Sequence, residues 1–188
     1  MTKQTKTSKN NINECLLVID FGSQVTQLIA RRLRELSVYS KIYPFQNINQ
    51  KLLKELSPKA IIFSGGPRSV LDRNSPKVSK IIYKLGIPIL GICYGQQLLM
   101  FQLRGKINSK EKKSEFGRAF IEQTRKSKFL DGWFNSKLEE VWMSHGDHVS
   151  KMAPDFKVLA TSKYAPFAMV ADEKRNFYGV QFHPEVHH

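Results

Sequence analysis

Short apolar runs alternate, in the first half of the chain, with stretches in which apolar residues recur every three or four positions. The first run, residues 16–19, contains no polar residue, which is typical of a strand buried on both faces. Residues 24–36 then carry apolar side chains at helical spacing, with Arg31, Arg32 and Arg34 on the outer face. The pattern predicts a buried strand, a turn and an amphipathic helix.

The same alternation continues to about residue 104. The predicted elements are a strand near 38–43, a helix around 48–56, a strand at 60–63, a helix around 77–85, a strand ending at 92 and a helix from 94 to about 104. Strands that are apolar throughout and are separated by helices predict an α/β fold, with an open, mostly parallel sheet and helices on both faces.

After residue 105 the pattern changes to short β-like stretches at 119–121, 141–143, 157–160, 167–170 and 177–182. We expect some of these stretches to form a small antiparallel extension or second sheet. Residues 109–115 are rich in charge and are predicted to form a loop.

The composition favours one folded domain. The chain has 188 residues, 41% of them hydrophobic, which is enough for one sizeable core. Residues 1–13 are polar and lysine-rich, so we predict a disordered basic tail before a domain at 14–188. No apolar run approaches the roughly 20 residues that cross a bilayer, so the protein is predicted to be soluble and cytoplasmic, without a membrane partner.

Two cysteines, Cys15 and Cys93, are too few for a disulfide framework or a cysteine-based metal cluster. Cys15, at the start of the first strand, is predicted to be a small buried side chain. His145 and His148 are close in sequence, but a metal site needs more ligands, so no metal is expected.

The formal net charge of +14 favours phosphate groups or an acidic partner. The lysines are spread along the chain without interleaved aromatic residues, and no nucleic-acid-binding module is recognisable. We therefore prefer a solvated basic surface, or a basic face that docks an acidic partner, to nucleic-acid binding.

Cys93 has the surroundings of a cysteine nucleophile. It is the centre of Gly-Ile-Cys-Tyr-Gly at 91–95, which follows a short apolar run and precedes a predicted helix. Flanking glycines allow the sharp turn of a nucleophile elbow. At a helix N-terminus, the dipole and the free N–H groups favour the thiolate, which is the attacking form.

A base and an orienting carboxylate follow the last predicted strand. His183 and Glu185 are two residues apart, so a strand would place both side chains on one side, with Cα atoms roughly 6.6 Å apart. One imidazole nitrogen would meet the Cys93 sulfur while Glu185 holds the other nitrogen and fixes the tautomer.

Gly65 and Gly66 follow the strand at 60–63. A Gly-Gly turn is often only structural. Beside a nucleophile elbow, however, glycine backbone can point N–H groups at a developing oxyanion, and the N–H of Tyr94 is the natural second donor. Both loops would lie at the carboxyl ends of parallel strands, where open α/β sheets bind ligands.

Gly-Gly-Pro at 65–67, Gly-Ile-Cys-Tyr-Gly-Gln-Gln at 91–97 and His-Pro-Glu at 183–185 together resemble the class I, or triad, glutamine amidotransferases. The resemblance covers about residues 15–185 and implies a flavodoxin-like fold. Asp-Phe-Gly-Ser-Gln at 20–24, Gln-Leu-Ile-Ala-Arg-Arg at 27–32 and Glu-Val-Trp-Met-Ser-His-Gly-Asp at 140–147 most resemble the glutaminase domains of GMP synthetases.

The resemblance implies that Cys93 attacks the side-chain amide of glutamine, which releases ammonia and leaves a γ-glutamyl thioester that water resolves. It implies that His183 shuttles protons and that Glu185 orients His183. The implied oxyanion hole is Gly66 and Tyr94, and the implied glutamine contacts are Gly65, Gln97 and the backbone around Ser144 and His145.

The chain departs from GMP synthetases in two respects. It has no ATP-using synthetase module and no Gly-x-x-x-x-Gly-Lys phosphate loop. No cofactor is therefore expected in this chain, and ATP and Mg²⁺ are expected only in a synthetase domain or subunit that aminates xanthosine monophosphate. The sequence also stops at His188, where family members usually continue into a further helix.

Other functions remain open at this point. One is the glutaminase subunit of another synthase, such as those for anthranilate, aminodeoxychorismate or CTP. Another is a basic binding module without turnover, although binding alone does not need the complete set of Cys93, His183 and Glu185. A third is a cysteine peptidase, which would cleave peptide amides as well as free glutamine.

Overall fold

The computed structural model describes residues 14–109, 114–134 and 136–186. Its strands are β1 (Leu16–Asp20), β2 (Ser40–Pro44), β3 (Ala60–Phe63), β4 (Ile89–Ile92), β5 (Lys106–Ser109), β6 (Glu115–Gln123), β7 (Leu138–His145), β8 (Asp147–Lys151), β9 (Lys157–Thr161), β10 (Met169–Asp172) and β11 (Phe177–Val180). Its α-helices are α1 (Thr26–Glu35), α2 (Gln50–Leu56) and α3 (Tyr94–Gln102), and short 3-10 helices lie at Phe45–Asn47, Lys80–Lys84 and Lys128–Leu130.

Within these described residues, one large sheet has the order β2-β1-β3-β4-β11-β10-β9-β6-β7, and β5 pairs with β8 in a small separate sheet. The first five strands of the large sheet are parallel to one another, and the other four continue it in antiparallel pairing. The predicted α/β class is confirmed. The antiparallel extension is larger than the sequence pattern predicts.

Alternate residues of the parallel strands supply two hydrophobic cores, one on each face of the sheet. Leu17 packs in the same cluster as Leu53 of α2 and Leu98 of α3. Its neighbour Val18 packs in the cluster that contains Ile29 of α1. Helices on both faces cover the central parallel strands β1, β3 and β4, which explains why residues 16–19, 60–63 and 89–92 are apolar. The edge strand β2 is only partly buried and includes Ser40 and Lys41.

The predicted helix around 77–85 is wrong. The segment forms the 3-10 helix Lys80–Lys84, whose first turn is capped by the Ser79 side chain accepting from the N–H of Ile81. The helical turns begin only after Ser79, whose backbone is extended (φ −62°, ψ 138°), and Gly86, a poor helix former, follows them.

Residues 109–115, predicted as a charged loop, are divided between two strands: β5 ends at Ser109 and β6 begins at Glu115. Residues 110–113 lie outside the described residues, as does the predicted tail at 1–13.

Cys15 is buried at the start of β1, which confirms the prediction for its side chain. Burial raises the pKa of its thiol, and the charge of Lys41 opposes this by a smaller amount. In the part of the chain that the structure describes, no helix is both long enough and apolar enough to cross a membrane.

Candidate active site

Cys93 occupies the sharp turn between β4 and α3. Its backbone has φ 51° and ψ −107°, a conformation that residues with a side chain rarely adopt. The N–H of Cys93 donates to the carbonyl of Val180 on β11 (2.8 Å), which ties the turn to the neighbouring strand. Because α3 begins at Tyr94, the thiol lies at the helix N-terminus, as the sequence predicts.

Gly91 and Gly95 permit the close packing around this turn. A Cβ at Gly95 would lie 2.4 Å from the carbonyl oxygen of Phe63, and a Cβ at Gly91 would lie 2.5 Å from the carbonyl oxygen of Gly95. Such distances are far below van der Waals contact. The two glycines are therefore required for the approach of α3 to β3 and β4.

His183 and Glu185 form a buried pair beside the nucleophile. His183 Nδ1 lies 2.8 Å from Glu185 Oε1, and both residues are less than 9% exposed. The pair meets across a turn and not along an extended strand, because β11 ends at Val180 and the N–H of Val186 donates to the His183 carbonyl (3.2 Å). Pro184 suits the second position of such a turn, since its ring fixes φ.

The surroundings of His183 favour the imidazolium. Burial lowers the pKa of this ring, but hydrogen bonds to Cys93 and Glu185, together with their negative charges, outweigh burial and raise it to about 10. Since Nδ1 faces Glu185, Nε2 is the nitrogen that remains for the hydrogen bond to the Cys93 sulfur. A ring protonated at neutral pH, next to the sulfur, is suited to give a proton to a leaving group.

The raised pKa of His183 predicts a pH-dependent contribution to stability. The contribution is fully present below about pH 6.5, the pKa of an unfolded histidine, and is lost as pH rises through about 10. Replacing Glu185 by glutamine removes the carboxylate charge, so the free energy of unfolding should fall by about 2 kcal/mol at pH 6.5, and the difference should shrink towards pH 10. Denaturant unfolding of both proteins across this range measures the effect, and a pH-independent difference would contradict it.

Two cavities meet at Cys93. One has a volume of about 410 Å³ and is lined in part by Gln97 and His145, whereas the other has about 320 Å³ and is lined in part by Ser23 and His183. The residues that line both cavities are Gly66, Pro67, Cys93 and Ser144. A charged cleft of about 540 Å³ around residues 172–175 lies at the opposite end of β11, away from the nucleophile. We take the 410 Å³ cavity as the candidate substrate pocket, since the polar groups predicted to bind substrate lie there.

The glycine loop after β3 lies against the nucleophile. Gly66 adjoins Tyr94, because a Cβ at Gly66 would lie 3.3 Å from Tyr94 Cγ. Gly65 adjoins the base, because a Cβ there would lie 2.9 Å from His183 Cε1 and 3.8 Å from Cys93 Cβ. The structure thus brings both predicted oxyanion donors next to Cys93, while their bonding to an oxyanion and the glutamine contact of Gly65 stay predictions.

The predicted glutamine contacts Gln97, Ser144 and His145 line the candidate pocket. Gln97 Nε2 donates to the carbonyl of Asp147 (2.9 Å), and the Ser144 carbonyl accepts from the thiol of the nucleophile (3.4 Å). The His145 ring lies 3.0 Å from the same Asp147 carbonyl through Nδ1 and turns Nε2 towards Glu115 (3.5 Å). Both ring nitrogens therefore face protein groups and hold the pocket wall together. Only the backbone of His145 remains a candidate for contact with glutamine.

Three residues that were not singled out in the sequence complete the site: Glu115, Asp147 and Gln181. Burial raises the pKa of Glu115, but hydrogen bonds from His145 and Ser162 outweigh burial and hold this pKa below its usual range. Asp147 has a buried Oδ2 with no hydrogen-bond partner among the described residues. Gln181 directs Nε2 at the Cys93 sulfur (3.7 Å). Asp147 is the last residue of the motif at 140–147, and Gln181 lies two residues before the motif at 183–185. These two motifs could therefore have indicated both residues as members of the site.

Among the residues that the structure describes, no three or more His, Cys, Asp and Glu side chains are grouped so as to hold a metal ion.

The family model "Glutamine amidotransferase class-I" matches residues 17–188. The chain is 60% identical over 174 residues to a GMP synthase (glutamine-hydrolyzing) of Ruegeria sp., a match that covers 92% of the chain and 34% of the relative. It is 52% identical over 176 residues to the protein of the same name from Rhizobium etli, covering 93% of the chain and 34% of the relative. The chain spans about a third of the length of these curated relatives.

Solved structures give the same result for the fold. A Thermoplasma acidophilum protein assigned to the GMP synthases matches with a TM-score of 0.76 and 29% identity, over 93% of this chain and 86% of that chain. A glutamine amidotransferase from Thermotoga maritima matches with a TM-score of 0.77 and 21% identity, over 93% of this chain and 77% of that chain. At 21% identity, the match to the Thermotoga maritima protein shows a shared fold alone.

Proposed function

Because the chain belongs to the class I glutamine amidotransferases, we propose that it hydrolyses glutamine to glutamate and ammonia through Cys93, His183 and Glu185. The observation that carries this proposal is that the elbow thiol of Cys93 and the ring of His183 line one cavity, with the ring hydrogen-bonded to the buried Glu185. Nucleophile, proton carrier and orienting group lie beside one another in the order that covalent catalysis by a cysteine needs.

In the proposed reaction the Cys93 thiolate attacks the side-chain amide carbon of glutamine. The negative charge that develops on the amide oxygen is stabilised by the backbone N–H groups of Gly66 and Tyr94. His183 gives its proton to the amide nitrogen, the carbon–nitrogen bond breaks, and ammonia leaves a γ-glutamyl thioester. His183 then takes a proton from water as the water attacks the thioester, which releases glutamate and restores the thiolate.

We also propose that the ammonia serves an ATP-dependent synthetase domain or subunit that converts xanthosine monophosphate to GMP in purine biosynthesis. Identity of 52–60% to relatives named GMP synthase supports this proposal over the synthases for anthranilate, aminodeoxychorismate or CTP. In this proposal the cytoplasm is the site of action. ATP and Mg²⁺ bind to the synthetase partner, and this chain needs no cofactor of its own.

Two assays test the proposal in sequence. The first follows glutamate and ammonia formed from free glutamine, with a peptide amide as control substrate. Release of ammonia from glutamine alone supports a glutaminase, and cleavage of the peptide would favour a peptidase. The second adds the synthetase module of a GMP synthase with xanthosine monophosphate, ATP and Mg²⁺. Glutamine-dependent GMP formation supports the assignment, whereas hydrolysis that never supplies this module would direct the search to another synthase.

A further inference from the structure

Gln181 is a buried polar residue in direct contact with the nucleophile, and the mechanism above does not use it. It follows β11 by one residue, and it is 1% exposed. Its backbone is fixed by the N–H of Gln181 donating to the carbonyl of Ala168 (2.9 Å). Its side-chain Nε2 lies 3.7 Å from Cys93 Sγ, within hydrogen-bonding distance for sulfur.

The orientation of this amide is dictated by a series of hydrogen bonds that begins at a backbone carbonyl. The Asp147 carbonyl can only accept, so the NH₂ group of Gln97 must face it (2.9 Å). The same NH₂ group lies 3.3 Å from the Gln181 side chain, which must therefore present its oxygen to Gln97. The NH₂ group of Gln181 is then left to face the sulfur.

We propose that Gln181 is a further catalytic residue, which donates an N–H to Cys93 Sγ and stabilises the thiolate. A buried thiolate needs donors, because water is excluded from it and its charge is costly without hydrogen bonds. The Ser144 carbonyl beside the sulfur (3.4 Å) accepts a hydrogen bond from the thiol and cannot donate one to the thiolate. In the part of the chain that the structure describes, His183 and Gln181 are thus the side chains that offer donors to the sulfur.

The same series of bonds reaches the candidate substrate pocket, since Gln97 and Asp147 both line that cavity. The inference deepens the proposed glutamine hydrolysis and rests on it for turnover, but the contact with Cys93 is testable without any substrate.

The test is alkylation of Cys93 by iodoacetamide as a function of pH, together with kcat and KM for glutamine. Leucine at position 181 keeps the approximate shape and removes the donor. For Gln181→Leu we expect the pH midpoint of alkylation to rise by about one unit and kcat to fall about tenfold or more, with KM within about threefold. The ionisable groups that face the site are the same in both proteins: Arg68, Tyr94, His145, Asp147, His183 and Glu185.

Gln96→Leu is the matched control. Gln96 is as deeply buried on α3, and its Nε2 donates to the carbonyl of Phe167 (2.8 Å), so this variant loses one buried amide bond away from the sulfur. It should leave the pH midpoint of alkylation unchanged. Gln181→Asn, which shortens the side chain by one methylene, serves as a second variant if Gln181→Leu does not fold, and it should also raise the midpoint.

A folded Gln181 variant with the alkylation midpoint and kcat of the unchanged protein would overturn the inference. An equal shift of the alkylation midpoint in Gln96→Leu would also overturn the inference, because a general loss of packing would then explain the shift in both variants. If the midpoint rises only in the Gln181 variants but the unchanged protein does not hydrolyse glutamine, the proposed function fails while the Gln181 contact stands.

Discussion

Cys93→Ala is expected to abolish glutamine hydrolysis, with a loss of at least about 10³-fold in kcat, because no other group in the site can form the thioester. The folded structure should be retained, since alanine keeps the Cβ and leaves the hydrogen bond from residue 93 to the Val180 carbonyl in place. Release of glutamate from glutamine measures the change.

Cys15→Ala is the matched control for this substitution. Cys15 is also buried, but it lies at the start of β1, outside both cavities that meet at Cys93. The Cys15→Ala variant should hydrolyse glutamine at the rate of the unchanged protein. Activity that survives in Cys93→Ala would exclude the thioester route and the role of the elbow.

Gly95→Ala is expected to lower the free energy of unfolding by about 3 kcal/mol. The added methyl group would lie 2.4 Å from the carbonyl oxygen of Phe63 and 2.6 Å from its Cβ, so backbone must move. In a helix, alanine is normally more stabilising than glycine by about 1 kcal/mol. A net loss of stability in Gly95→Ala would therefore be caused by the close contact between α3 and β3.

Gly146→Ala provides the comparison in stability for Gly95→Ala. Its Cβ would have its nearest contact at 3.9 Å, with Ser114 Oγ, so unfolding by denaturant should change by less than about 0.5 kcal/mol. If Gly95→Ala is as stable as Gly146→Ala, the close packing that forms the elbow is not present in solution.

Local sequence predicts the parts of this fold that local interactions determine. β1, β3 and β4 are apolar on both faces because helices cover both, so their sequences alone indicate buried parallel strands. The segment 77–85 has helical spacing but forms only the 3-10 helix Lys80–Lys84, since the extended Ser79 precedes it and Gly86 follows it. β8 (Asp147–Lys151) is mostly polar, and its pairing with β5 depends on residues about 40 positions away.

The site shows the same division between local and distant interactions. Cys93, His183 and Glu185 were identified from short motifs, because an elbow and a His-Pro-Glu turn each need particular neighbours in sequence. The His183–Glu185 contact was expected along a strand, whereas it forms across a turn at Pro184. The Gln181 amide could not be placed against Cys93 in advance, because 88 residues separate them and only the completed β4–β11 pairing brings them together.

The most direct test of the account is labelling with a chloroketone analogue of glutamine, followed by intact mass and mapping of the modified peptide. The predicted result is one label on Cys93, none on Cys15, and protection by excess glutamine, because the reagent needs both an activated sulfur and a formed glutamine pocket. Folded protein in which Cys93 is not labelled, or is labelled equally with and without glutamine, would contradict the central claim that Cys93 is the nucleophile of a glutamine-binding site.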